Sequence, residues 1–134
     1  MANALDIARY IIHFCNKCGT EISNLKLQKL LFYIQRYSLQ TTGYPAFSDL
    51  IEAWQFGAVV PNVYYRYCGY GSMPIYEDVS NIEFHEYDSL IASKKDLFPW
   101  DMIEEIQAHG SSWERAYEHG NKTIITINEI KKYG

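Results

Sequence analysis

Cys15 and Cys18 have two residues between them in Cys-Asn-Lys-Cys, a spacing that can grip zinc or cycle a disulfide. A structural zinc site needs four ligands, usually two such pairs or a pair plus two spaced histidines. Beyond the pair, the chain offers only Cys68 and the scattered His13, His85, His109 and His119. Redox chemistry expects the pair between a strand and a helix, whereas here it closes a predicted helix. Metal or thiol chemistry is therefore the lesser reading of these residues. An acid–base pair such as Glu52 with His85 is a further option, while His109 and His119 are expected in the last turns of helices, where the dipole favours a cation. Gly69-Tyr70-Gly71 lacks the spacing of a phosphate loop and reads as a turn. Lys94-Lys95 and Lys131-Lys132 read as steps on solvated faces. No protease, nucleophile-elbow, Walker or dinucleotide motif occurs, so the expectation is a protein that is not an enzyme and uses no metal or cofactor.

Recognition chemistry is better represented. The chain carries 12 Tyr, 6 Phe and 3 Trp, 16% aromatic in all. Tyrosine offers apolar area with a polar tip and few torsions to freeze, which suits contact faces as well as cores. The densest block holds Trp54, Phe56, Tyr64, Tyr65, Tyr67 and Tyr70. On a helix, Tyr64 and Tyr67 are i, i+3 neighbours while Tyr65 points elsewhere, so the tyrosines cannot all enter one core. Trp54, Tyr64, Tyr65, Tyr67 and Tyr70 are the partner-binding candidates.

The elements that must position them follow from periodicity and punctuation. Leu5, Ala8, Ile11, Ile12 and Cys15 have helical spacing between Asn3, a cap, and Gly19, which predicts a helix over 4–18. Leu27, Leu30, Leu31, Ile34 and Ser38 form the buried stripe of a second helix, which Ser23 precedes and Gly43 and Pro45 end. Lys26, Lys29 and Arg36 fall largely off that stripe. The segment around Trp54 reads as extended or irregular. Pro61 starts a short helix, and Gly69 and Gly71 close it. Partial alternation between residues 73 and 86 suggests one or two short strands there. Asp88 is placed to cap a helix to about Phe98, Pro99 opens another that Gly110 ends, and the spacings Ser111/Glu114 and Thr126/Glu129 match capping boxes for helices over 112–119 and 127–133. The β-branched run after Gly120 joins those two.

The fold class expected is mainly α, or α+β with minor β: a compact helical bundle with one or two short strands. At 134 residues, with 48% hydrophobic and 21% charged, a single domain over 1–134 can bury a self-sufficient core. The net charge is −4 at pH 7, which gives no global drive toward nucleic acid. No apolar run is long enough to span a bilayer and the first residues lack a signal-peptide pattern, so a cytoplasmic protein without membrane contact is expected. The odd set of three cysteines fits that compartment.

Two blocks, LKLQKLLFYIQ at residues 25–35 and FSDLIEAWQFGAVVPNVYYRY at 47–67, resemble the Panacea antitoxin domain, the family that includes SocA-like proteolytic adaptors and phage-associated GepA-type proteins. The matching positions include Leu27, Gln28, Lys29, Leu30, Leu31, Glu52, Ala53, Trp54, Gly57, Val59, Val60, Pro61 and Tyr64. The family's Gly-Pro-Val is Gly57-Ala58-Val59 here, which removes a rigid φ from the turn. The resemblance implies a mostly helical fold and a non-catalytic role, neutralising by direct binding a cognate toxin generally encoded by an adjacent gene, often on prophages and mobile elements. It also implies an alternative, an adaptor that delivers the toxin to a cytosolic protease. Gln28, Lys29, Glu52, Gly57 and Pro61 are the motif residues with a structural or a binding role. Polar side chains between buried stripes are suited to satisfying backbone groups of the Gly57–Pro61 turn, or to contacting the toxin.

Overall fold

In the computed structural model, which describes residues 2–77 and 81–134, the centre of the molecule is α2, Asn24–Thr42. Ser23 caps it by accepting from the Lys26 amide at 3.3 Å, and Gly43 ends it with φ +80°. Nine consecutive residues from Leu27 to Gln35 are all buried, so the helix is covered on every side instead of showing one apolar stripe. That corrects the expectation for Lys29, which lies fully buried. A helix packed all round has no solvated face to offer a lysine.

The first helix, α1, spans Ala4–Lys17 and buries Ala4, Ile7, Ala8, Tyr10, Ile11, Ile12 and Cys15 against α2 and its neighbours. Asn3 caps it through the Asp6 amide at 2.8 Å. After α2 the chain turns through a segment pinned by Gln35. Its Nε2 donates to the Phe47 carbonyl at 2.9 Å, and its Oε1 accepts from the Ala46 amide at 2.8 Å. The segment around Trp54 then folds as a hairpin of β1, Ile51–Trp54, and β2, Gly57–Val59. The third strand, β3, Thr123–Ile125, comes from the β-branched run expected only to join two helices. It pairs antiparallel with the far side of β1, Ile51 opposite Ile125 and Ala53 opposite Thr123, giving the order β2-β1-β3.

Pro61 and Pro99 open α3, Pro61–Tyr67, and α5, Pro99–Ile106, at the helical position that needs no N–H. Between them the expected strands at 73–86 are replaced by irregular chain among the described residues; the end of the first lies outside them. Ile75 explains the apolar signal: it is fully buried and its amide donates to the Ile22 carbonyl at 2.8 Å, an anchor rather than a ladder. A short 3-10 turn at His85–Tyr87 leads into α4, Asp88–Lys94, which stops short of Phe98. Asp88 does not cap it, because its carboxylate is engaged by the Tyr10 hydroxyl and His85.

Ser111 caps α6, Ser112–Tyr117, and Thr126 caps α7, Ile127–Tyr133. The Thr126/Glu129 box is reciprocal, whereas Glu114 accepts from Gly110 instead of Ser111. α5 and α6 end before His109 and His119, so neither histidine sits in a last helical turn. The buried side chains form one continuous apolar cluster drawn from α1, α2, the sheet and the later helices. No helix among the described residues is long and apolar enough to cross a membrane.

Candidate functional site

The two sequence blocks meet where α2 passes under the β2–α3 connection. Gln28 and Lys29, consecutive residues of α2, both reach that region, and each meets a backbone group. Gln28 Oε1 accepts from the Val60 amide at 2.8 Å, and Lys29 Nζ donates to the Ala58 carbonyl at 2.8 Å. Gln28 Nε2 in turn donates to Asn24 Oδ1 at 2.9 Å, and Asn24 Nδ2 donates to the Tyr64 carbonyl at 3.1 Å. These side chains thus splice α2 to the start of α3, which has no capping side chain of its own. Gly57, at φ +102°, leaves the space the lysine stem occupies: a Cβ there would lie 3.1 Å from Lys29 Cε and Nζ. Burial pulls the Lys29 amine down to about 7.

Above this scaffold the outward face of β1 carries Glu52 and Trp54. The Trp54 indole N–H donates to Glu52 Oε1 at 2.8 Å, which turns the ring across the sheet. Tyr64 packs edge-on against it with ring centroids 4.8 Å apart, and Tyr65 meets both rings, at 6.3 Å from Trp54 and 5.3 Å from Tyr64. Lys122 Nζ lies 4.9 Å from the Trp54 ring centre, a cation–π contact. Tyr65 is 59% exposed. The tryptophan backbone is fixed from behind by Trp113, whose indole N–H donates to the Trp54 carbonyl at 2.8 Å.

Between this aromatic face and α2 lies an open cavity of about 460 Å³, lined by Gln28, Lys29, Trp54, Phe56, Val59 and Tyr64 among others. At its rim Phe56 packs edge-on against Trp100 at 5.6 Å, and both rings are exposed.

The partner-binding candidates therefore separate. Trp54, Tyr64 and Tyr65 share one wall, whereas Tyr70 is exposed and its ring meets Tyr67 at 6.3 Å. Tyr67 is a correction. It is fully buried, its hydroxyl donates to Glu77 Oε1 at 2.9 Å, and burial pushes that hydroxyl up to about 12. Its place on the inward side of α3 follows from the i, i+4 relation to Val63, also fully buried. Glu77, which Arg66 also meets at 2.8 Å, ties the following loop to α3.

Asn24, Lys122 and Trp100 were not foreseen. Asn24 looks like ordinary helix-start polarity, and Lys122 and Trp100 reach the site from sequence-distant segments that no local pattern connects to it.

The other chemistry considered in the sequence resolves elsewhere. His85 is held by Asp88 and Glu83, and Glu52 by Trp54, so they do not pair. Burial pushes the Cys15 thiol up to about 11, away from a nucleophilic thiolate, while Cys18 and Cys68 are exposed. Among the described residues no group of three or more His, Cys, Asp or Glu is placed to hold a metal ion.

The polar motif residues of this mainly helical domain brace an aromatic wall to which β1 gives Trp54 and α3 gives Tyr64 and Tyr65. The family model for the antitoxin SocA-like, Panacea domain, matches residues 27–125, and the chain belongs to that family. It is similar to Antitoxin SocA of Caulobacter vibrioides (strain NA1000 / CB15N), 44% identical over 62 residues. That match covers 46% of this chain and 33% of the relative's own length. No solved structure matches the chain.

Proposed function

We propose that this protein is the antitoxin of a toxin–antitoxin pair and neutralises its toxin by direct protein–protein contact. One observation carries the reading: both family blocks converge on a single wall, with buried Gln28 and Lys29 bracing β2 and its connection to α3, beside which Trp54 of β1 meets Tyr64 and Tyr65 of α3. Amphipathic aromatic rings held by packing, and partly open to solvent, are the side chains that dominate binding energy at protein interfaces. Tyr70 extends the contact face, and Glu52 and Lys122 give it a charged rim. Tyr67 belongs to the scaffold. Binding of this kind needs no cofactor and no catalytic group, and the three free cysteines suit a cytoplasmic site of action.

Co-expression with the product of the neighbouring gene tests the reading. Growth arrest by that product alone and rescue by this protein are expected, with rescue lost on the double change Trp54→Ala, Tyr65→Ala in a variant that remains folded. A neighbouring product that is harmless, or that stays toxic in the presence of the wild type, defeats the proposal. Direct neutralisation further predicts a toxin half-life unchanged by this protein, whereas delivery to a protease shortens it.

A further inference from the structure

The cavity beside Trp54 contains a charge imbalance that toxin contact through the aromatic wall does not use. Its lining holds a buried lysine and, among the described residues, no carboxylate. Lys29 Nζ has three donors but a single hydrogen-bond acceptor, the Ala58 carbonyl, and no ion pair among the described residues. An ammonium group removed from water without a counter-charge is costly, and the cost is offset when an anion enters beside it. The rest of the lining is suited to an apolar body: Trp54, Phe56, Val59 and Leu25 form its walls. Gly57 places no Cβ against the lysine end, where one would lie 3.1 Å from Cε and Nζ. A volume of about 460 Å³ is within the range of small-ligand sites.

We propose that this cavity binds a carboxylate carried on an apolar body, the carboxylate completing the hydrogen bonds of Lys29 Nζ and the body lying against Trp54, Phe56 and Val59. The site stands independently of the antitoxin reading, because a free carboxylate suffices to fill it. The other titratable groups of the lining are Tyr64 and Cys68, from α3 and the turn that follows it. Outside the lining, Glu52 is turned to the Trp54 indole and Lys122 lies over the Trp54 ring.

The test is calorimetric titration of the full chain with 4-phenylbutyrate and its uncharged analogue 4-phenylbutyramide, in a Cys68→Ser background that removes the one thiol in the cavity. At about pH 6 the acid should bind about tenfold or more tighter than the amide, the value of a charge-assisted bond in a desolvated site. Because Lys29 loses its proton more readily than an exposed lysine, the acid's affinity should fall as pH rises above about 7 while that of the amide holds. Lys29→Met should abolish the preference for the acid; should that variant not fold, the acid–amide comparison decides alone. Equal binding of acid and amide, or binding of neither at millimolar concentration, overturns the proposal. Two carriers share this chemistry, a small free carboxylate and an acidic group on a bound protein. Repeating the titration with the neighbouring gene's product already bound separates them: lost probe binding assigns the site to the protein partner, and undiminished binding assigns it to a free ligand.

Discussion

Lys29 offers the sharpest energetic test, because its burial makes stability depend on pH in a direction opposite to ordinary alkaline denaturation. In the unfolded chain the amine titrates at its ordinary value of 10.5, and burial brings it down to about 7 in the folded protein. Between those values the unfolded state binds a proton that the native state does not, so this residue makes stability rise with pH. The contribution is fully present above the unfolded value and is lost as pH falls to the native one. The full displacement corresponds to roughly 5 kcal/mol, with a slope approaching about 1.4 kcal/mol per pH unit inside the window. Lys29→Met removes the titration while keeping an unbranched chain of similar length in the space beside Gly57. Urea unfolding of the wild type and of this variant at several pH values from about 6 to 10 isolates the effect, since other titrating groups cancel in the difference. The wild type should gain on the variant by several kcal/mol across that range. A difference that does not change with pH would refute the account of Lys29 as a desolvated amine without a counter-charge.

Other outcomes follow from the same scaffold. Gln28→Leu strands the Val60 amide and Asn24 Oδ1 in the interior and should cost about 2–4 kcal/mol in urea unfolding. Gly57→Ala combines a positive φ with a Cβ 3.1 Å from the lysine stem, and a loss of about 1–3 kcal/mol is expected from thermal unfolding. Tyr65→Ala should leave stability within about 0.5 kcal/mol yet weaken toxin binding by about tenfold or more, measured by calorimetry. Tyr67→Phe should do the reverse, costing about 1–2 kcal/mol of stability through the lost bond to Glu77 while binding persists.

The helices were legible because their signals are local. Asn3, Ser23, Ser111 and Thr126 cap helices where they stand, and Pro61 and Pro99 open theirs. The strands were only half legible. Periodicity over three or four residues is too short to speak, and β3 is a strand chiefly because β1 lies beside it. The run at 73–86 failed for the same reason in reverse: Ile75 is apolar because it anchors a loop, not because it alternates. Lys29 lies off the predicted stripe yet is buried, because such spacing describes a helix with one covered side and α2 has none exposed along its middle; its bond to the Ala58 carbonyl matches the backbone-satisfying role expected of the motif's polar residues. At the candidate site, the contact of Trp54 with Tyr64 joins two residues of one sequence block. Lys122 was invisible, since its contact with Trp54 is set by a strand pairing that joins distant segments.

That pairing also sets a schedule. Thr123 meets Ala53 only after about 70 further residues have been synthesised, which at ordinary ribosomal speed takes roughly 4–14 s. During that interval β1 has β2 on one side and bare amide and carbonyl groups on the other, an edge open to any passing strand. Lys122, which neighbours the last strand, cannot yet cover the Trp54 ring. The nascent chain therefore contains both strands of the hairpin long before it contains the residues that finish the aromatic wall.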